Sequence, residues 1–246
     1  MLLLGAASLP AADSAPPAAS MPTAEQIAHI NTAIIPEPTL APARHAGFVT
    51  QAQKGGIDVL FLGDSITDWW QTNGKDVFAK YFGGWKIANF GIAAETTQQV
   101  LWRLQNGEGA GFQPKVVMLM IGTNNLHANS DEQIVVGVAV IVRELRKDFP
   151  NAKILLLGIF PRGQASDLVR NRVATINEYL ATLNDLDHVF YLDIGRKFLD
   201  AQGNFLPDVF LPDLLHPAPK GYEIWAEAVK APLENLLKLQ NGTPAK

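Results

Sequence analysis

Three residue types able to carry out nucleophilic acyl chemistry sit in short motifs along the chain: a serine in Gly63-Asp64-Ser65, an asparagine in Gly122-Thr123-Asn124, and a histidine in Asp213-Leu214-Leu215-His216. Ser65 follows the apolar run Val59-Leu60-Phe61-Leu62. Its hydroxyl is therefore expected at the carboxyl end of a buried strand and at the start of a helix, where the helix dipole favours a developing oxyanion. An Asp-Ser pair after a strand is also an ordinary helix cap, so its partners must decide. Of the five histidines, His29 and His45 fall in an N-terminal arm, and His188 precedes a strand at its amino end. His127 lies just beyond Asn124 and is placed to border the same pocket, but nothing close in sequence would orient it. His216 differs, because an acid three residues earlier on a turn can reach the ring nitrogen turned away from the serine and fix its tautomer. Pro217 biases His216 away from helix. Taken alone, Asp-x-x-His is equally a surface turn. The backbone N–H groups of Ser65 and Gly91, with the side-chain amide of Asn124, make three neutral donors that can converge on a tetrahedral oxyanion.

Such residues must be held at one edge of a sheet. Apolar runs predict strands over 57–62, 85–90, 115–121, 153–160 and 189–193, the second shorter and nearer an edge. Between them, apolar residues recur at helical spacing, as in Ile134, Val138, Ile141, Val142 and Leu145. Helices are expected after the first strand through Trp69 to Phe78, over 95–105, and at the C-terminal end, where Pro232 is a candidate kink. Five strands alternating with helices through short turns imply parallel crossovers and a sheet covered on both faces. In that architecture functional groups collect at the carboxyl ends of the strands, where Ser65, Gly91 and Asn124 all fall.

Composition narrows the class. With 48% hydrophobic and 18% charged residues among 246, the chain reads as an ordinary globular protein. A net charge of −4 gives no reason to expect nucleic acid as a partner. The absence of cysteine excludes disulfides, thiolate nucleophiles and cysteine-held zinc. The acids and histidines show no metal-ligand spacing, and no phosphate-loop or dinucleotide fingerprint occurs, so neither metal nor cofactor is expected. The segments expected are a leader over 1–22, an arm over 23–50 with a short helix at 24–31, a catalytic domain over 51–240, and a tail over 241–246. The leader resembles the back half of a signal peptide, which implies a secreted or periplasmic protein; without a basic start, a cytoplasmic one is the alternative. No apolar run is long enough to be an integral membrane segment.

In order, Gly63-Asp64-Ser65, Gly91, Gly122-Thr123-Asn124 and Asp213-x-x-His216 resemble the four blocks of the SGNH or GDSL hydrolase superfamily. Further stretches, among them Asn89-Phe90-Gly91-Ile92, Asn106-Gly107-Glu108, Gly122-Thr123-Asn124-Asn125 and Pro161-Arg162-Gly163, are similar to the catalytic subunits of type I platelet-activating-factor acetylhydrolase and to bacterial acetyl esterases. The resemblance covers roughly 45–237. It implies a flavodoxin-like three-layer α/β/α sandwich with a five-stranded parallel sheet, metal-free ester hydrolysis, a triad of Ser65, Asp213 and His216, and an oxyanion hole of Ser65, Gly91 and Asn124. Asn125 departs from the superfamily, which often carries aspartate there.

The expected activity is hydrolysis of short-chain, chiefly acetyl, esters through an acyl-enzyme, with an acetylated carbohydrate as one substrate class. The alternatives are a phospholipid acetylhydrolase acting on platelet-activating-factor-like lipids and a non-catalytic carbohydrate-binding module. A homodimer stays open. Asp64 reads as a structural cap, Trp69 and Trp70 as core or pocket wall, and Arg103 and Arg162 as salt-bridge or loop-holding residues.

Overall fold

Strand β1, Val59–Gly63, is buried along its whole length, and its side chains alternate between two cores in the computed structural model, which describes residues 31–240. Leu60 and Leu62 join Val117, Leu119, Ile154 and Leu156 on one face. Val59 and Phe61 join Val116, Met118, Leu155 and Leu157 on the other. Strands β2 (Ile87–Gly91), β3 (Val116–Met120), β4 (Lys153–Leu157) and β5 (Val189–Leu192) complete a parallel sheet in the order β2-β1-β3-β4-β5. The expected five-stranded α/β/α architecture is thus observed, with β2 at an edge. The chain reverses direction across the sheet between β1 and β3, and that switch point opens the crevice in which such folds bind ligands.

Helices α1 (Pro42–Lys54), α4 (Thr97–Arg103), α5 (Asp131–Asp148) and α6 (Leu168–Ala181) cover the first face. The short α2 (Ser65–Asp68), then α3 (Lys75–Phe82) and the long α7 (Pro219–Gln240) serve the second. Local chemistry explains the boundaries. Ser130 and Gln133 form a capping box at the start of α5, which begins with Asp131 and Glu132 and ends near Arg146 and Lys147, complementing the helix dipole. The single helix expected through Trp69 to Phe78 is instead α2, a 3-10 turn at Trp69–Gln71, and α3. The chain breaks at Gly74, which lies so close to the Trp70 and Tyr222 rings that a Cβ would overlap them. Helix α7 runs through Pro232 without interruption.

The expected arm also needs correction. Pro42 is the first residue of α1, a position where a missing N–H is harmless, so the last of the spaced prolines starts a helix that crosses the expected boundary at residue 51. Arg44 pins α1 to α2 by a bidentate pair with Asp68, at 2.9 and 2.6 Å. His45 pairs with Glu108 at 2.8 Å. The leader, the helix expected at 24–31 apart from Asn31, and the tail lie outside the described residues.

Beneath the crevice Arg103 is fully buried, paired with Glu95 at 2.7 Å and Glu108 at 2.5 Å, and donates to the Phe90 carbonyl at 3.0 Å. Burial pushes the Glu108 carboxyl up, and Arg103 and His45 pull it back. Removing the guanidinium would leave two carboxylates facing each other without water. Arg103→Met is therefore expected to lower unfolding free energy by about 3–5 kcal/mol in urea titrations. A loss below about 1 kcal/mol would show that the cluster is not a buried ionic one in solution.

Candidate active site

The turn after β1 is tight because Gly63 has no side chain: a Cβ there would collide with the Met120 carbonyl of β3 and the Thr67 hydroxyl. Asp64 follows as the cap of α2, its Oδ1 accepting from the Ile66 N–H at 3.0 Å. Ser65 thus opens the helix, with only 5% of its surface exposed. Beneath it Trp70 packs into an aromatic cluster with Phe61, Tyr222 and Trp225. The Tyr222 hydroxyl donates to the Ile66 carbonyl at 2.7 Å and fastens the turn to α7.

The loop entering α7 brings the histidine across. His216 Nε2 lies 2.9 Å from Ser65 Oγ, and His216 Nδ1 lies 2.7 Å from Asp213 Oδ2. The other Asp213 oxygen accepts from the backbone N–H groups of Leu215 and His216, each at 3.0 Å. Burial pulls the Asp213 carboxyl upward, but the His216 backbone and ring and the Leu215 N–H outweigh it and hold the carboxyl below its ordinary value. It therefore stays ionised at neutral pH. A carboxylate, imidazole and hydroxyl in this order make a relay that can take a proton from the serine.

The expected donors divide. Asn124 Nδ2 is 2.8 Å from the Glu95 carbonyl, a bond that engages one amide hydrogen and aims the other elsewhere. Gly91 is different, and here the structure corrects the expectation. Its N–H donates to Asn89 Oδ1 at 2.9 Å, while the Asn89 amide donates to the Thr67 carbonyl at 2.8 Å. A Cβ on Gly91 would strike the backbone of Asp68. Glycine is needed there so that the end of β2 can pack on α2, and its N–H is taken by Asn89.

Several residues gain roles that the sequence left open. Asn125 is buried; its Oδ1 accepts from the Thr97 N–H at 3.0 Å, and its amide donates to Gln98, Thr97 and Asn129. Only an amide both accepts and donates in this way, which accounts for asparagine where an aspartate is expected. Arg162 Nη1 donates to the Thr123 carbonyl and hydroxyl at 3.1 and 3.2 Å and so braces the segment carrying Asn124. His127 is exposed and, with Arg162, Arg172, Leu168 and Asp213, lines a cavity of about 430 Å3 beside the loop that carries Asp213 and His216. No bond joins it to Ser65. His188 pairs with Asp187 at the amino end of β5, away from the crevice. A larger cavity, about 790 Å3, lies between α6 and β5 and is not lined by Ser65, Asp213 or His216. Among the described residues no cluster of His, Cys, Asp or Glu is arranged to hold a metal.

Ala94 had no signal in the sequence. It occupies the third position of the turn Ile92–Glu95, closed by a 3.4 Å bond from the Glu95 N–H to the Ile92 carbonyl, and has φ +66°. An alanine in the left-handed region is disfavoured by roughly 1 kcal/mol or more. Strain of this kind collects at functional sites.

The chain matches the model of the GDSL-like lipase/acylhydrolase family over residues 61–224. It is 36% identical over 204 residues to platelet-activating factor acetylhydrolase IB subunit alpha2 of Rattus norvegicus, covering 82% of this chain and 86% of that protein. Against subunit alpha1 of the same organism identity is 32% over 200 residues, covering 80% and 84%. Among solved structures, a putative platelet activating factor from Streptococcus pneumonia has a TM-score of 0.63 at 21% identity, covering 77% of this chain and 92% of that one. Axe2, an acetylxylan esterase from Geobacillus stearothermophilus, gives 0.58 at 20% identity, covering 71% and 92%. At these identities the structural likeness speaks for the fold alone.

Asp64 supplies a test of the site's electrostatics. Complete burial raises its pKa from 3.8 to about 7, against the pull of the Ile66 N–H and Arg162. Because the folded value lies above the unfolded one, the folded state binds the extra proton between these values, and stability falls as pH rises through them. Asp64→Asn keeps an acceptor for the Ile66 N–H and removes the titration. Its stability relative to wild type should therefore improve from pH 5 to pH 8, by up to about 1.4 kcal/mol per pH unit in urea unfolding. An unchanged gap across that range would show that Asp64 is ionised in the folded protein.

Proposed function

The chain belongs to the GDSL-like lipase/acylhydrolase family and is a carboxylic ester hydrolase, and we propose that it is a serine esterase releasing short acyl groups, chiefly acetate, through an acyl-enzyme. The observation that carries this is the unbroken line from Asp213 through His216 to Ser65, at 2.7 and 2.9 Å. Ser65 Oγ attacks the ester carbonyl as His216 Nε2 takes its proton. The imidazolium then protonates the leaving alcohol, and water repeats the sequence to free the acid. The oxyanion is met by the Ser65 N–H, at the positive end of α2, and by the free Asn124 amide hydrogen. The third donor is the Ala94 N–H in place of that of Gly91: Ala94 is exposed, its turn touches Asn124 through the Glu95 carbonyl, and its left-handed backbone is the kind of strain that collects at functional sites.

The acyl preference rests on the loops at the crevice. After β1, β2 and β3 the chain passes through short turns into helices α2, α4 and α5, which leaves no amphipathic lid over Ser65 among the described residues. The similarity to platelet-activating factor acetylhydrolase subunits favours an acetylated phospholipid as the alcohol part. An acetylated carbohydrate is the other candidate.

Ser65→Ala is expected to lower kcat by about a thousandfold or more without changing the unfolding midpoint. A fluorophosphonate probe should label Ser65 alone. Retention of a tenth of the activity in a clean preparation would sink the mechanism. Asn124→Ala should reduce kcat by roughly a hundredfold with KM little changed, since its amide acts on the oxyanion. A KM effect alone would make Asn124 a substrate-binding residue.

Acyl length is tested with p-nitrophenyl esters from acetate to dodecanoate. Each methylene that finds no pocket forgoes about 0.8 kcal/mol of burial, so octanoate should be at least about tenfold poorer than acetate in kcat/KM. A maximum at octanoate or beyond would replace the small-acyl reading with a lipase. Acetyl release from a short-chain acetyl phospholipid and from acetylated xylooligosaccharides then separates the two alcohol classes.

A further inference from the structure

Ser65 and Trp69 are four residues apart along the turn that opens with α2, so both side chains rise on the same side. The consequence is visible at His216. Its ring meets Ser65 and Asp213 through its two nitrogens, and one face lies on the Trp69 indole, with ring centroids 4.0 Å apart and planes inclined by 23°. Trp70, the next residue, is buried in the aromatic cluster and shows 1% of its surface, which denies the turn freedom to swing Trp69 away. Trp69 itself is partly buried, packed against the second core as well as on His216.

We infer that Trp69 is a positioning residue for the base: its indole holds the His216 ring between Asp213 and Ser65 and presents a negative π-face to the imidazolium formed during catalysis. The inference rests on the esterase reading. As Ser65 Oγ bonds the ester carbonyl carbon, the carbonyl π pair moves to oxygen and the Oγ proton passes to Nε2. The positive charge then exists on the ring until the proton leaves with the alcohol. An aromatic face stabilises a cation placed over it, and indole does so best. It acts on the transition state and on the intermediate, when the ring is charged, more than on the neutral resting ring.

Other charges near the ring must be counted. Asp213 faces it from its own loop, and Asp64 is buried behind Ser65. Arg162, from the loop after β4, acts on both acids, and Arg44 is spent on Asp68 at the far end of α2. None of these is altered by changing Trp69 to another uncharged side chain.

The test is the series Trp69→Phe and Trp69→Leu, assayed on p-nitrophenyl acetate across pH. The expected order of kcat is Trp, Phe, Leu, with Leu about 3- to 30-fold below wild type and KM within about twofold. The acid limb of kcat/KM, set in wild type where an imidazole sheds its proton, should move to lower pH in Trp69→Leu by about half a unit or more. A limb that stays, or moves to higher pH as the ring gains water, overturns the inference and leaves the indole a wall. So does a change confined to KM. An independent reading needs no turnover: indole emission should fall as the stacked imidazole becomes protonated, and that titration should vanish in both Trp69→Phe and His216→Gln. A titration persisting in Trp69→Phe would show that the rings are not stacked in solution. Should Ser65→Ala be inert while Trp69→Leu behaves as wild type, the esterase reading stands and the role of Trp69 falls; an active Ser65→Ala removes both.

Discussion

A single buried guanidinium underlies the geometry of the crevice. Arg103 has no exposed surface, reaches the carbonyl of Phe90 near the end of β2, and comes within 3.5 Å of the Gly63 carbonyl at the end of β1. Its partners extend outward in two directions. Glu108 leads to His45 on α1. Glu95 leads to the chain before α1, accepting from the Thr39 hydroxyl and the Leu40 N–H, while its own carbonyl holds the Asn124 amide. Burying such charges is a poor way to gain stability, because desolvation offsets much of the attraction. What the network provides is registration. The carbonyl ends of two strands, the segment before β1 and Asn124 are all tied to one rigid, planar ion.

This dependence explains what could be read in the sequence. Strand β1 was legible because a strand buried on both faces must be continuously apolar, and Asp213 with His216 because a three-residue turn places both. The helix α1 was not, since Pro36, Pro38 and Pro42 look like one extended segment, and only contact with Asp68 and Glu108 reveals that the last of them begins a helix. Gly91 misled for a related reason. A glycine at a strand end suggests an available N–H, but its lack of a side chain serves packing against Asp68, and its N–H is claimed by an asparagine two residues earlier. Ala94 carries no mark of its backbone strain in its residue type. Trp69 did carry a signal, the four-residue interval from Ser65, which acquires meaning once the turn between them is known to be helical.

The placement of charge in the crevice follows one rule. The proposed proton relay has a fixed anion, Asp213, held ionised by two backbone amides and the ring it meets. The proposed oxyanion side, by contrast, is furnished with neutral donors, which need no counter-ion and so do not draw a resident anion into the space the substrate must enter. Asp64 would violate this rule if it were a free carboxylate beside the nucleophile. It is fully enclosed, its Oδ1 is turned to the Ile66 N–H, and burial favours its protonated form well above the usual carboxylate range. In its protonated form, the acid next to Ser65 caps the helix without placing a negative charge beside the proposed nucleophile. Arg162 faces both acids, Asp64 and Asp213, and through its contacts to Thr123 it also braces the segment that carries Asn124.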